Sequence, residues 1–191
     1  MAKGKRSLKL SLRGLVTPKK HAMQIEDYHI VTVSYEVREN GPEGALLERM
    51  DARYPFKFMF GVGQMLPAWE DRLRGLKPGT GFTFLLPPEN AYGRPRTDLL
   101  LELPISMFKN EQEQIDPQLL QEGQFITLTS DDGTANNAKI LSWDDHTVKL
   151  DANHALAGKT LFFAGAVLHV RKATGDELVQ KRFIDEGGVR R

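Results

Sequence analysis

The sequence contains no cysteine, and none of its apolar runs approaches the length of a membrane span. The first absence excludes disulfide bonds and thiolate metal ligands, and it suits a reducing compartment. The second argues against a spanning helix, which needs about 20 mainly apolar residues. With 40% hydrophobic and 27% charged residues among 191, the composition is typical of a globular protein of one or two domains. We expect a cytoplasmic monomer that does not act at a membrane.

Acidic residues are absent from positions 1–22, which carry seven Lys and Arg residues. The rest of the chain is therefore acidic, although the net charge of the whole chain is +1. An acidic body is poorly suited to phosphate neutralisation, so no nucleic acid is expected as a partner. We interpret the basic head as a disordered extension, or as the result of a start placed before Met23. A weaker alternative is that it tethers the protein to nucleic acid or ribosomes.

The first half of the chain has the periodicity of a mainly β domain. Apolar residues alternate with polar ones and predict strands over Val31–Val37, Phe56–Phe60 and Phe82–Leu86. Helical spacing predicts a short helix over Met65–Leu76, and a long polar loop follows the third strand over Glu89–Asp98.

The sequence pattern changes from about Glu102. Short apolar runs at Phe125–Thr129, Ile140–Trp143 and Thr147–Leu150 are separated by turn residues, which predicts a β meander. Leu161–Val170 then returns to a β-rich run like those of the first half. Two β-rich blocks that flank a meander indicate one domain inserted into a loop of another, because closure entropy grows slowly with loop length.

Several motifs carry a family resemblance. Pro55–Gly61 and Met65–Glu70 lead from an aromatic strand into a short helix, Ala91-Tyr92-Gly93 forms a loop motif, and Asn153–Phe163 forms a closing motif. Together, in this order, they resemble the FKBP-type peptidyl-prolyl cis–trans isomerases of the SlyD-like subgroup. The resemblance implies an α+β, mainly β fold, in which an antiparallel sheet wraps a short helix. It also implies a small β-rich insert-in-flap domain between the last two motifs.

The resemblance also implies the domain boundaries. The isomerase domain would be discontinuous, over residues 24–101 and 153–173. The insert over 102–152 would bind unfolded polypeptides and supply them to the nearby isomerase pocket. The basic extension at 1–22 and a charged tail at 174–191 would flank these domains.

Carried over position by position, the resemblance implies an isomerase pocket whose floor is a tryptophan. Glu48 stands where the family pattern expects Asp, and Asp51 is the alternative acid. Ala68 stands where Gly is usual, and Gly165-Ala166 replace a branched residue and an acid, so the shape of the pocket could differ. The implied pocket residues are Tyr35, Glu48, Phe56, Met65, Leu66, Trp69, Tyr92 and Phe163.

The insert would contact polypeptides through exposed apolar side chains. About half of its apolar residues must instead form its own small core, and the sequence alone leaves open which half. The candidates for polypeptide contact are Leu119, Leu120, Phe125, Ile126, Leu128, Ile140 and Leu141.

The implied chemistry needs no nucleophile, metal or cofactor, because rotation about an X–Pro bond makes and breaks no covalent bond. The barrier is about 18–20 kcal/mol, and a water-poor aromatic cavity lowers it by favouring the twisted amide over the planar one. The five His residues are scattered, so no metal site is expected. The aromatic residues considered without the resemblance would be ordinary core residues. A catalytically weak polypeptide-binding chaperone is the alternative, motivated by Glu48 and Gly165.

Overall fold

The computed structural model describes residues 23–110, 112–115, 119–129 and 133–185. The predicted basic extension at 1–22 and the end of the predicted charged tail lie outside the described residues. Within the described part, the chain forms two antiparallel sheets and two short helices. No helix in this part is long and apolar enough to cross a membrane.

Most of the elements are strands; one helix follows the third strand and the other follows the last strand. In chain order they are β1 (His29–Glu39), β2 (Leu46–Met50), β3 (Phe56–Met59), α1 (Pro67–Leu73), β4 (Gly81–Leu86), β5 (Leu100–Pro104), β6 (Phe125–Thr129), β7 (Ala135–Trp143), β8 (Thr147–Asp151), β9 (Leu161–Lys172) and α2 (Gly175–Gln180).

The first sheet has the strand order β2-β1-β9-β4. β2 and β3 pair with the same edge of β1, β3 along its first half and β2 along its second half. Its centre is the long antiparallel pair of β1 and β9, which runs from His29 opposite Lys172 to Glu39 opposite Leu161. The buried side chains of these strands pack with the two fully buried apolar residues of α1, Trp69 and Leu73. The predicted fold class, a mainly β α+β fold with a sheet packed on a short helix, is confirmed.

The helix α1 is shorter than the predicted span of Met65–Leu76. Pro67 occupies the first helical position, where its missing N–H leaves no backbone bond unmade. The helix ends before Gly75, whose φ of 80° requires the left-handed conformation that glycine adopts most easily. Met65 and Leu76 nevertheless pack against the same core, which explains why their spacing looked helical.

The second sheet has the strand order β5-β8-β7-β6. The predicted meander supplies β6, β7 and β8, whereas β5 was not predicted. β5 starts at Leu100, two residues before the predicted start of the insert at 102, and pairs with β8 along its whole length. The sheet has its own core, separate from that of the first sheet, and its fully buried residues are Ala138, Ile140, Val148 and Leu150.

The chain after β9 is fastened to the first sheet by a buried carboxylate. The side chain of Glu177 in α2 is 1% exposed and accepts two hydrogen bonds of 2.7 Å from the Arg171 guanidinium. It also accepts the backbone N–H groups of Thr174 and Ile184, and Thr174 caps the helix in return. These bonds, led by that from Arg171, hold the pKa of Glu177 at about 2.

We expect Glu177→Gln to destabilise the protein in a pH-dependent manner. Because the pKa of Glu177 is about 2 in the folded chain and 4.5 without these contacts, its stabilisation is complete above about pH 4.5 and is lost as the pH falls towards 2. The linkage corresponds to roughly 3 kcal/mol at neutral pH. Urea unfolding at pH 7 and at pH 3 should show a smaller difference between variant and parent at the lower pH. The exposed neighbour variant Asp176→Asn serves as control, and a difference that does not change with pH would contradict the assignment.

Candidate functional site

An apolar cavity of about 420 Å³ opens beside the first sheet, between α1, the β1–β2 pair and the loop that carries Tyr92. It brings together residues that are distant in sequence because β1 and β9 are paired at its centre. Seven of the eight predicted pocket residues line it: Tyr35, Glu48, Met65, Leu66, Trp69, Tyr92 and Phe163. The residues that sequence reasoning missed are Val37, Leu47, Gln64, Pro67, Leu156 and Leu161.

Phe56 is the predicted pocket residue that does not line the cavity. Its ring packs edge-on against Tyr35, with centroids 6.0 Å apart, and stacks on Phe58 at 5.4 Å. Because β3 pairs with β1, Phe56 lies opposite Val33 and supports the Tyr35 ring from outside the cavity. Phe56 therefore supports the wall of the pocket from behind, whereas it had been predicted to be part of that wall.

Trp69 is the most buried aromatic wall of the cavity. Its side chain is 1% exposed, and its ring lies 6.3 Å from that of Tyr35 and 5.1 Å from that of Phe58 between centroids. The indole Nε1 is buried and has no hydrogen-bond partner among the described residues. Apolar packing, including these two aromatic contacts, therefore holds the ring in place.

The polar edge of the cavity is a tyrosine–glutamate pair. The Tyr35 hydroxyl donates to Glu48 Oε1 at 2.7 Å across the β1–β2 pair. Burial, followed by this bond, raises the pKa of Tyr35 far above its usual value, and burial also raises the pKa of Tyr92. Both hydroxyls therefore remain protonated donors at neutral pH.

Asp51, the alternative acid, has a different role. Its Oδ1 accepts the backbone N–H groups of Arg53 and Tyr54 in the exposed turn after β2. Glu48 lines the cavity and Asp51 does not. Geometry thus favours Glu48 as the acid of the site, one methylene longer than the residue that the family pattern expects.

The two departures from the family pattern fit the structure. A Cβ on Gly165 would collide with the backbone oxygen of Ser34 and would lie 2.8 Å from the Cβ of Tyr35. Glycine therefore lets β9 approach β1 directly beside Tyr35. Ala68 packs against the core of the first sheet. Neither residue lines the cavity.

The Tyr92 loop is tied to the closing motif. The Tyr92 ring stacks on His154, with centroids 3.7 Å apart and planes 3° from parallel. The backbone N–H of Gly158 donates to Gly93 O at 2.7 Å, and that of Leu156 donates to His154 Nδ1 at 3.1 Å. These contacts fix one wall of the cavity although its residues are about sixty positions apart in sequence.

The candidate contact residues of the insert divide into two groups. Leu120 and Ile140 are buried in the core of the second sheet, and Ile126 and Leu128 are half-buried against it. These four are core residues, so the prediction that they contact polypeptides is wrong. The other three, which are exposed, are Leu119, Phe125 and Leu141.

Sequence reasoning missed two further exposed apolar side chains near the second sheet. Met107 is 67% exposed in the turn after β5, and Trp143 is 48% exposed at the end of β7. Met107 lies in a stretch without periodicity. Trp143 follows the alternation of β7, in which Ile140 is buried and Leu141 is exposed.

The lining of the cavity defines a class of site. The described lining residues include no Ser, Thr, Cys, Lys or His, and their polar side-chain groups are two tyrosine hydroxyls, one carboxylate, one amide and the buried indole N–H of Trp69. Such a lining suits non-covalent binding of an apolar group whose polar neighbours accept hydrogen bonds. The class is a binding pocket that holds a substrate in one geometry.

Comparison with known proteins identifies the family. Residues 21–118, just over half of the chain, match the family model described as FKBP-type peptidyl-prolyl cis–trans isomerase. The chain belongs to this family and is of the SlyD type, as the motifs predicted. It is therefore an enzyme that accelerates cis–trans isomerisation of X–Pro bonds, and proline-containing polypeptides are its substrates.

Curated relatives cover most of the chain. It is 29% identical to the FKBP-type peptidyl-prolyl cis–trans isomerase SlyD of Aeromonas hydrophila over 166 residues, which is 87% of this chain and 74% of the relative. It is 29% identical to SlyD of Treponema pallidum over 164 residues (84% and 86%). It is also 29% identical to SlyD of Escherichia coli K12 over 156 residues (82% and 75%).

Proposed function

We propose that the protein combines two sites, an isomerase pocket at the cavity and a polypeptide-binding surface on the second sheet. The isomerase domain would comprise residues 24–101 and 153–173, and the insert 102–152, with its sheet extended to Leu100. Two separate apolar cores support this division. The observation that carries the binding role is a set of five exposed apolar side chains on and beside the second sheet, namely Leu119, Phe125, Leu141, Met107 and Trp143.

In the proposed mechanism, the cavity holds the proline ring on its aromatic and aliphatic walls. When the proline ring packs against Trp69 and Phe163, water is removed from the neighbouring X–Pro amide. This desolvation weakens the preference of the amide for its planar, more polar form. The Tyr92 hydroxyl donates to a substrate carbonyl and fixes the orientation of the peptide. The Tyr35–Glu48 bond keeps the other hydroxyl in place, and Glu48 transfers no proton.

We expect Glu48→Ala to lower kcat/KM on a proline tetrapeptide about tenfold, because one charge-assisted hydrogen bond in the pocket is lost. Glu48→Gln keeps an oxygen that can accept from Tyr35, so it should retain most of the activity. A protease-coupled isomerase assay measures both, and Asp51→Asn, which alters the exposed turn, is the control. Equal losses in Glu48→Ala and Glu48→Gln would show that the charge of Glu48, rather than its bond to Tyr35, matters.

The exposed surface supports a role with unfolded chains. Single exposed apolar residues are common, but several of them on and beside one small sheet favour an interaction site. A polypeptide held there would meet the isomerase pocket at a high effective concentration, because the two sites are linked in one chain. The insert would thus increase activity on long, flexible polypeptides.

A triple variant tests the binding surface. Leu119→Ser, Leu141→Ser and Trp143→Ser together should weaken binding of a reduced, carboxymethylated protein that cannot refold by at least about tenfold. The control is Leu178→Ser with Val179→Ser, which removes exposed apolar side chains from α2 instead. Fluorescence anisotropy measures affinity, and circular dichroism checks the fold. Equal weakening in both variants would refute a specific surface on the insert.

A further inference from the structure

A second cleft lies between the two sheets, next to the isomerase cavity. It has a volume of about 220 Å³ and is open to solvent. One side is formed by Pro95 and by the segment from Asn153 to Ala157, which leads back to the first sheet. The other side is formed by the second sheet.

The side that belongs to the second sheet is a row of directly paired residues. Phe125 on β6 is opposite Lys139 on β7, and Lys139 is opposite Asp151 on β8. Directly opposite residues in an antiparallel sheet share one face, so these three side chains form a continuous strip about 10 Å wide. Leu100 on β5 continues the row beyond Asp151, but it does not line the cleft.

The cleft and the isomerase cavity share one wall. Tyr92 lines the cavity and His154 lines the cleft, and their rings are stacked 3.7 Å apart. The segment after His154 contributes to both spaces, since Leu156 lines the cavity whereas Ala155 and Ala157 line the cleft. The two spaces are therefore neighbours, with the Tyr92–His154 stack between residues that line the one and residues that line the other.

The chemistry of the cleft suits an apolar side chain flanked by a peptide carbonyl. Phe125 is 54% exposed and offers an aromatic surface. Asp151 Oδ1 accepts two hydrogen bonds from Asn153, from its backbone N–H at 2.9 Å and from Nδ2 at 2.7 Å. The Lys139 ammonium, in contrast, has no partner among the described residues, so it remains available to donate to a ligand.

We propose that this cleft is a second subsite for the proline-containing polypeptide and that it binds a large apolar or aromatic side chain of that polypeptide. Aromatic faces contact neighbours at about 3.5–4.0 Å, so groups on the two sides of the Tyr92–His154 stack lie about 11 Å apart, or about three residues of extended chain. The subsite rests on the proposed function, because it requires the substrate to extend from the cavity towards the second sheet. Substrate residues that are distant from the proline therefore contribute to specificity.

The test uses the full chain and nine-residue peptides of Ala and Ser with a central proline. A single Phe is placed two, three or four residues before or after the proline, and the peptide without Phe is the reference. NMR exchange spectroscopy measures the isomerisation rate at several peptide concentrations, and so separates KM from kcat. We expect about tenfold lower KM, with little change in kcat, for Phe about three residues away on one side of the proline.

Two variants connect that preference to the cleft. Phe125→Ser should remove it, whereas Leu100→Ser, an equally exposed change in the same row, should preserve it. Equal rates for all peptides, or a preference that survives Phe125→Ser, would overturn the subsite. Failure of the proposed function itself is a separate outcome, namely no acceleration of any peptide, or no binding of the unfolded protein described above.

Discussion

Removal of residues 100–151 is expected to lower kcat/KM on a proline-limited refolding protein by about 100-fold while changing the rate on a tetrapeptide less than about threefold. Linked binding sites raise effective concentration by roughly two to four orders of magnitude, and a tetrapeptide is too short to use the second sheet. The deletion is structurally feasible because the backbone N–H of Ala152 donates to Leu99 O at 2.9 Å. One or two glycines can therefore join the cut ends.

The two substrates are measured side by side, a chromogenic tetrapeptide in the protease-coupled assay and an unfolded protein in a refolding assay limited by proline isomerisation. The control is the triple serine variant of the exposed surface, which keeps the second sheet but weakens its binding. It should reproduce much of the loss on the refolding protein. If both activities of the deletion variant fall together, the insert serves the pocket itself, and the proposed division between two sites is wrong.

The second large effect is expected at Trp69. Trp69→Leu removes the largest wall of the cavity, and we expect kcat/KM on the tetrapeptide to fall about 100-fold, which is about 2.7 kcal/mol of transition-state stabilisation. The same change should cost about 2–4 kcal/mol of folding stability, because the ring is almost completely buried. Activity must therefore be measured at a temperature at which the variant is folded.

Phe60→Leu is the matched control for Trp69→Leu. Phe60 is also fully buried in the core of the first sheet and also loses an aromatic ring, but it does not line the cavity. We expect a comparable loss of stability, measured by urea unfolding, with less than about a threefold loss of kcat/KM. Equal loss of activity in the two variants would mean that Trp69 acts through the stability of the core alone.

Strong alternation predicted the strands that bury one complete face. In β1, apolar residues at every second position from Val31 to Val37 are buried in the structure, and the same pattern predicted β4, whereas β9 was predicted from a β-rich run. Alternation did not predict β2 and β5, for a physical reason. The side chains of β2 (Leu46–Met50) are exposed or half-buried, so β2 depends on its hairpin pairing with β1. β5 is a short strand that ends in Pro104 and forms through pairing with the distant β8.

The site was predictable where the resemblance supplied it. The aromatic walls came from motif positions, and Val37 and Leu161, which follow the alternation of Tyr35 and Phe163, could have been added from periodicity. Leu47 lies on a strand that was not predicted by alternation, so its place at the cavity depends on tertiary structure.

The division of the insert residues between core and surface was partly available in the sequence. In β6, Ile126 and Leu128 share a face opposite Thr127 and Thr129, and this alternation matches their half-buried positions. In β7, Ala138 and Ile140 are buried whereas Lys139, Leu141 and Trp143 are exposed, so the alternation continues to the end of the strand. The exposure of Trp143 could therefore have been inferred from its position relative to Ile140.

Asn153 joins the two chain segments that connect the sheets. Its side chain accepts the backbone N–H of Arg96 at 2.8 Å and donates to Arg96 O at 3.1 Å. Together with the bond between Ala152 and Leu99, it holds the entry and the exit of residues 100–151 side by side. The junction is thus an insertion site at which a different compact domain with adjacent termini could replace residues 100–151. Such chimeras would keep the isomerase pocket and change the set of polypeptides that are delivered to it.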